Sequence, residues 1–142
     1  MSMYQTILVA IDLNDDASKV IKKAHAMCTS SDAMLNLIHV TEPLSYTYGG
    51  EIPMDLSEVQ SQLHEHAKQR MNELVEEQGL TQVNQLLVCG HIQKEVHRVA
   101  NEISTDLIVV GSHGRHGLAL LLGSTSNGIL HGATCDVLAV RV

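Results

Sequence analysis

The apolar positions of this chain fall into two alternating patterns. Ile7-Leu8-Val9-Ala10-Ile11, inside the stretch Tyr4 to Asp12, is a short continuous run rich in branched residues. That is the pattern of a parallel strand covered on both faces. Asp15-Asp16 and Ser18 then mark a helix start, with carboxylates placed against the positive end of the helix dipole. Ala17, Val20, Ile21, Ala24 and Cys28 follow at helical spacing, with Lys19, Lys22 and Lys23 toward water, and Ser30-Ser31-Asp32 breaks the helix. Met34 to Val40 predicts a second strand. The stretch Thr41 to Pro53 holds both prolines and Gly49-Gly50, and predicts a surface loop.

A long helix is expected from about Asp55 to Gln78. There Leu56, Val59, Leu63, Ala67, Arg70, Met71, Leu74 and Val75 trace one stripe, and Gly79 is a C-terminal stop. Val83 to Cys89 predicts a third strand, and Val96, Val99, Ala100 and Ile103 mark a third helix. Asp106 to Val110 is a fourth strand, a glycine-punctuated loop leads to a helix around Thr125–His131, and Cys135 to Val142 is a fifth strand. Strands alternating with helices build right-handed βαβ units, hence an α/β fold with a doubly wound, five-stranded parallel sheet and helices on both faces. In such folds ligands sit beyond the carboxyl ends of the strands, where the strand order switches direction. No repeat or composition shift divides the chain, so residues 1–142 are expected to form a single domain.

Composition narrows the chemistry. No apolar run approaches the ~18 residues of a membrane span, and Met1 to Thr6 lacks the basic start and apolar stretch of a secretory signal. A cytoplasmic protein with no membrane partner is expected. With 9 Lys+Arg against 16 Asp+Glu the net charge is −7, which opposes nucleic-acid binding. It leaves room for one small phosphate ligand held by backbone N–H groups. The chain has no Phe or Trp and only 3 Tyr, so a planar ligand would meet aliphatic walls rather than a stacking platform. Cys28, Cys89 and Cys135 form no CxxC pair, and each is expected to be a buried small hydrophobe. Among the 9 histidines, His64 and His66 point to different faces of their helix and His113 and His116 lie in a loop, so no metal site is expected.

Candidate chemistry gathers at strand ends. Glycines directly after the fourth strand, from Gly111-Ser112-His113-Gly114 on, let a ligand approach the backbone. Gly123-Ser124-Thr125 sits where the next helix begins, a place with free N–H groups and a positive dipole end. Tight turns and a Ser124 helix cap explain the same residues equally well. Asp12, at the end of the first strand, is placed either to contact a base or sugar or to cap the turn into the first helix. There is no GxxxxGK[ST] loop, no GxGxxG after the first strand and no GxSxG elbow.

Ile7-Leu8-Val9-Ala10-Ile11-Asp12, Leu37-Ile38-His39-Val40, Asp106 through Gly114, Gly123-Ser124 and Cys135 through Val140 together resemble the universal stress protein family, the small UspA-type domain. The resemblance covers essentially the whole chain. It implies an adenine-nucleotide alpha-hydrolase-like sheet of strand order 3-2-1-4-5. It also implies an ATP or AMP site following Gly-x2-Gly-x9-Gly-[Ser/Thr], with magnesium as an accompanying ion. Carried over, Ala10, Asp12 and Val40 would contact adenine. Val110 and Gly111 would line the adenosine, with His113 near ribose or phosphate. Gly114, Gly123, Ser124 and Thr125 would hold the phosphates.

The resemblance further implies a homodimer paired through Asp136–Val142, in keeping with the pairing tendency of an apolar edge strand. One departure stands out. Arg115 to Leu122 gives eight residues where the pattern has nine, a shift of up to ~3.5 Å in the approach to the helix. The expected role is a stress-linked sensor or regulator rather than an enzyme, since from residue 99 onward the only Arg or Lys are Arg115 and Arg141. The alternatives are a nucleotide-free dimeric interaction module and, with less support, an adenylate-forming enzyme. The latter would want a phosphate loop where Asp12-Leu13-Asn14-Asp15-Asp16 stands.

Overall fold

The computed structural model describes residues 3–43, 57–112 and 124–142. Along the chain, strands β1 (Thr6–Ala10), β2 (Met34–Thr41), β3 (Val83–Cys89), β4 (Leu107–Ser112) and β5 (Asp136–Arg141) alternate with helices. The helices are α1 (Ala17–Ser31), α2 (Ser57–Glu77), α3 (Ile92–Glu102) and α4 (Ser124–Gly132). The five strands form one parallel sheet in the order β3-β2-β1-β4-β5. Right-handed crossovers place α1 and α2 on one face, where the chain steps from β1 out to β3. They place α3 and α4 on the other, where it returns to β4 and β5.

Both faces are covered, which explains the continuous apolar runs. Ile7, Val9, Leu35, Leu37, Leu107 and Val109 pack against Val20, Ile21 and Ala24 of α1 and Met71 and Leu74 of α2. The alternate residues Leu8, Ile38, Val40, Ile108 and Val110 pack against Val96, Val99 and Ala100 of α3 and Ile129 of α4. Burial of each such aliphatic side chain contributes about 1.5–3 kcal/mol. Asn36, one of two buried polar residues among the described residues, is bonded on both sides. Its Nδ2 donates to the Ile7 carbonyl at 3.3 Å, and its Oδ1 accepts from Asn84 Nδ2 at 2.8 Å.

Several element details differ from the sequence expectations. β1 begins at Thr6 rather than Tyr4, because the Gln5 and Thr6 amides donate to the Asp106 carboxylate at 2.8 and 3.0 Å. α1 runs through Ser30 and Ser31 and ends at Asp32, whose φ of 57° is left-handed. Gly79 (φ +66°) closes α2 as expected, with the Leu80 amide donating to Val75 O at 3.1 Å.

Val59 and Leu63 were expected in the buried stripe of α2, yet each is 44% exposed. Burial on α2 is confined to Ala67, Met71, Leu74 and Val75, so its first turns have no core beneath them. Cys89 was expected to be buried and is exposed, because β3 is an edge strand and Cys89 is its last residue. Cys28 is buried, and Cys135 is half-buried. Of the predicted surface loop, Thr41 closes β2, and residues 44–53 lie outside the described residues, as does the expected helix start at Asp55.

Candidate functional site

The chain switches direction between β1 and β4. Ala10, the last residue of β1, pairs with Ile38 of β2 on one side and Val110 of β4 on the other. All three side chains belong to the face covered by α3 and α4. Beyond Ala10 the central strand β1 ends, and a cavity opens at the carboxyl ends of the strands, where Ala10, Asp12, Val40, Val110 and Gly111 line one continuous space. The cavity volume is about 60 Å³, so the walls stand close together.

Each wall has a local cause. The aliphatic floor is the end of the strand runs, where Val40 and Val110 are buried. Gly111 continues β4 without a side chain. A Cβ there would stand 3.1 Å from Val20 Cγ2 of α1 and 3.6 Å from Val142 Cγ1, so the missing methyl lets α1 and the chain end close over the strand. Ser112 ties β4 to β5, with Oγ donating to Val140 O at 3.3 Å and the Val142 amide donating to Ser112 O at 3.4 Å. The exposed Asp12 carboxylate stands at the rim with Asn14 and Asp16 from the turn into α1. Among the described lining residues there is no Lys or Arg, and no group of three metal-ligating side chains occurs among the described residues.

The phosphate side of the predicted site is partly placed. Ser124 and Thr125 form the first turn of α4, a helix of 9 residues. Because α4 links the end of β4 to the start of β5, it begins at the end of the sheet where the cavity opens. Its Ile129 reaches the cavity wall. His113, Gly114 and Gly123 lie outside the described residues.

Sequence reasoning passed over Ile92 and Ile129, which line the cavity from α3 and α4, and it read Val142 as the end of the fifth strand and of the expected dimer edge. Their one signal was topological. The crossover that carries α3 back over β2 and β1 must bring the start of that helix to the switch point. The thiols contribute little. Burial pushes the Cys28 and Cys135 thiols up from their ordinary value, which leaves less thiolate at neutral pH.

A five-stranded parallel sheet wound in both directions, with an aliphatic crevice at its switch point, defines a doubly wound α/β protein. The chain belongs to the universal stress protein family, whose model matches residues 3–141. It is 43% identical over 144 residues to universal stress protein A homolog 2 of Coxiella burnetii (strain RSA 493 / Nine Mile phase I), covering 100% of this chain and 98% of that one. Among solved structures it is similar to hypothetical protein MJ0577, with a TM-score of 0.80 and 27% identity over 99% of this chain and 97% of that one. It also shares its fold with a universal stress protein in complex with cAMP, with a TM-score of 0.69 and 24% identity over 98% of each chain.

Proposed function

We propose that this universal stress protein is a dimeric, cytoplasmic stress-response regulator that binds an adenine nucleotide, AMP or ATP, in the switch-point crevice. One observation carries the reading. Ala10, Asp12, Val40, Val110 and Gly111, which the family pattern marks as base and sugar contacts, all line the same cavity. That a related fold has been solved with cAMP supports the same ligand class. Adenine would lie between aliphatic walls, and the Asp12 carboxylate would accept from its exocyclic amine or a ribose hydroxyl. The sugar would lie over the Gly111 backbone beside Asp12. The phosphates would meet the N–H groups and positive dipole end of α4 at Ser124 and Thr125, with His113, Gly114 and Gly123 completing that side.

The role is binding rather than catalysis. Phosphoryl transfer needs positioned positive charge, and the described walls offer Asp12 and Asp16 instead. These carboxylates make magnesium matter more for ATP than for AMP, since the extra phosphates add negative charge nearby. The homodimer would form through β5, which pairs with β4 along one edge and carries the half-buried Val137 and Leu138.

Calorimetric titration with AMP and ATP, with and without magnesium, tests the reading. Saturable binding is expected, with the larger magnesium effect on ATP. Absence of binding at millimolar nucleotide overturns it. The exposed Val59 and Leu63, four apart on α2, favour the second reading of a nucleotide-free interaction module. Protein purified without added ligand would then carry no nucleotide and take none up.

A further inference from the structure

The crevice floor ends in an arrangement that the nucleotide reading leaves unused. Ile11, the first residue past β1, is fastened to β2 at both of its backbone polar groups. Its amide donates to the Ile38 carbonyl at 3.0 Å, continuing the ladder. Its carbonyl meets the side chain of the next β2 residue, His39, whose Nδ1 stands 2.9 Å from the oxygen. A carbonyl oxygen only accepts, so His39 Nδ1 carries the proton in either charge state of the ring. His39 is half-buried on the face opposite Ile38 and Val40, and it does not line the cavity. The bond fixes the peptide that joins Ile11 to Asp12, and Asp12 stands on the cavity rim.

We propose that His39 is a positioning residue for the crevice: its Nδ1–H holds the Ile11 carbonyl against β2 and so fixes the backbone that presents Asp12 to the ligand. This rests on the nucleotide reading. Where the strand ladder runs out, a side-chain donor takes over the hold on the chain, and the turn leaves the sheet in a set direction. Without that donor, the Ile11 carbonyl must find water or turn away, and the Asp12 backbone gains freedom that a ligand must then remove.

The test compares His39→Leu with His39→Asn. Asparagine carries its Nδ2 donor the same number of bonds from Cα as histidine carries Nδ1, whereas leucine fills similar space without a donor. AMP affinity is measured by calorimetry for the wild type and both variants, alongside thermal melts and hydrogen exchange of the segment 7–13. With one hydrogen bond at stake, His39→Leu should bind about tenfold more weakly and His39→Asn within about twofold of the wild type. Exchange at Asp12 should quicken only in the leucine variant, while the β1 amides stay protected in both. Wild-type affinity in His39→Leu, or equal losses in the two variants, overturns the positioning role while leaving the nucleotide reading intact. Failure of the wild type itself to bind AMP or ATP removes the nucleotide reading, and this inference with it.

Discussion

Gly111 is where a single side chain does most to close the crevice. An added Cβ already crowds Val20 Cγ2 at 3.1 Å, so a branched side chain must push α1 or fill the cavity. Gly111→Val is expected to cost about 1–3 kcal/mol of stability, read from urea unfolding. It should also abolish nucleotide binding at concentrations that saturate the wild type. An unchanged affinity would remove Gly111 from the site.

The cysteines separate by burial in the same way. Exposed Cys89 should react with a disulfide reagent in the folded state, while buried Cys28 should react only after unfolding. Burial raises the Cys28 and Cys135 thiols, so both hold less thiolate than a free cysteine at pH 8, and their labelling should set in at higher pH. The comparison of labelling rates with and without denaturant checks this. The sequence marked all three cysteines alike, because an edge strand such as β3 carries the same local signature as a central one.

At the scale of elements, the start of β1 depends on a residue a hundred positions away. The Asp106 carboxylate accepts from the Gln5 and Thr6 amides and thereby locks the entry of β1 beside the entry of β4. Charge-assisted bonds of this kind are worth more than neutral ones. Asp106→Ala should cost about 1.5–3 kcal/mol in chemical unfolding, and Asp106→Asn less, because its amide oxygen still accepts. By contrast, Arg70 reaches three exposed carboxylates, on Asp15, Glu73 and Glu77, at 3.2–3.5 Å. Arg70→Met should shift stability by under about 1 kcal/mol.

The elements themselves were largely legible, since strand runs and helical spacing are local signals. The miss at Val59 and Leu63 has a clear cause. Periodicity tells which face of α2 is apolar, but not how far the core extends beneath it. The strand ends were similarly soft, because the Asp106 clamp that sets the start of β1 joins residues far apart in sequence.

At the scale of the molecule, strand order follows from right-handed crossovers and one reversal of direction, and it places the crevice between β1 and β4. The cavity residues that close the strands, such as Ala10, Asp12 and Gly111, were readable from the chain as strand ends. The contributions of Ile92, Ile129 and Val142 were not, because they arrive from elements that return over the sheet. The β5 edge belongs to this scale as well. Sedimentation equilibrium at micromolar concentrations should report two chains per particle, and a mass of one chain would leave the edge unpaired and contradict the proposed dimer.

The most direct measurement is a crystal structure with a non-hydrolysable ATP analogue. The account predicts adenine between Val40 and Val110, the ribose over Gly111 beside Asp12, and a phosphate at the amides of Ser124 and Thr125. An empty crevice, or an analogue bound elsewhere on the molecule, would contradict it.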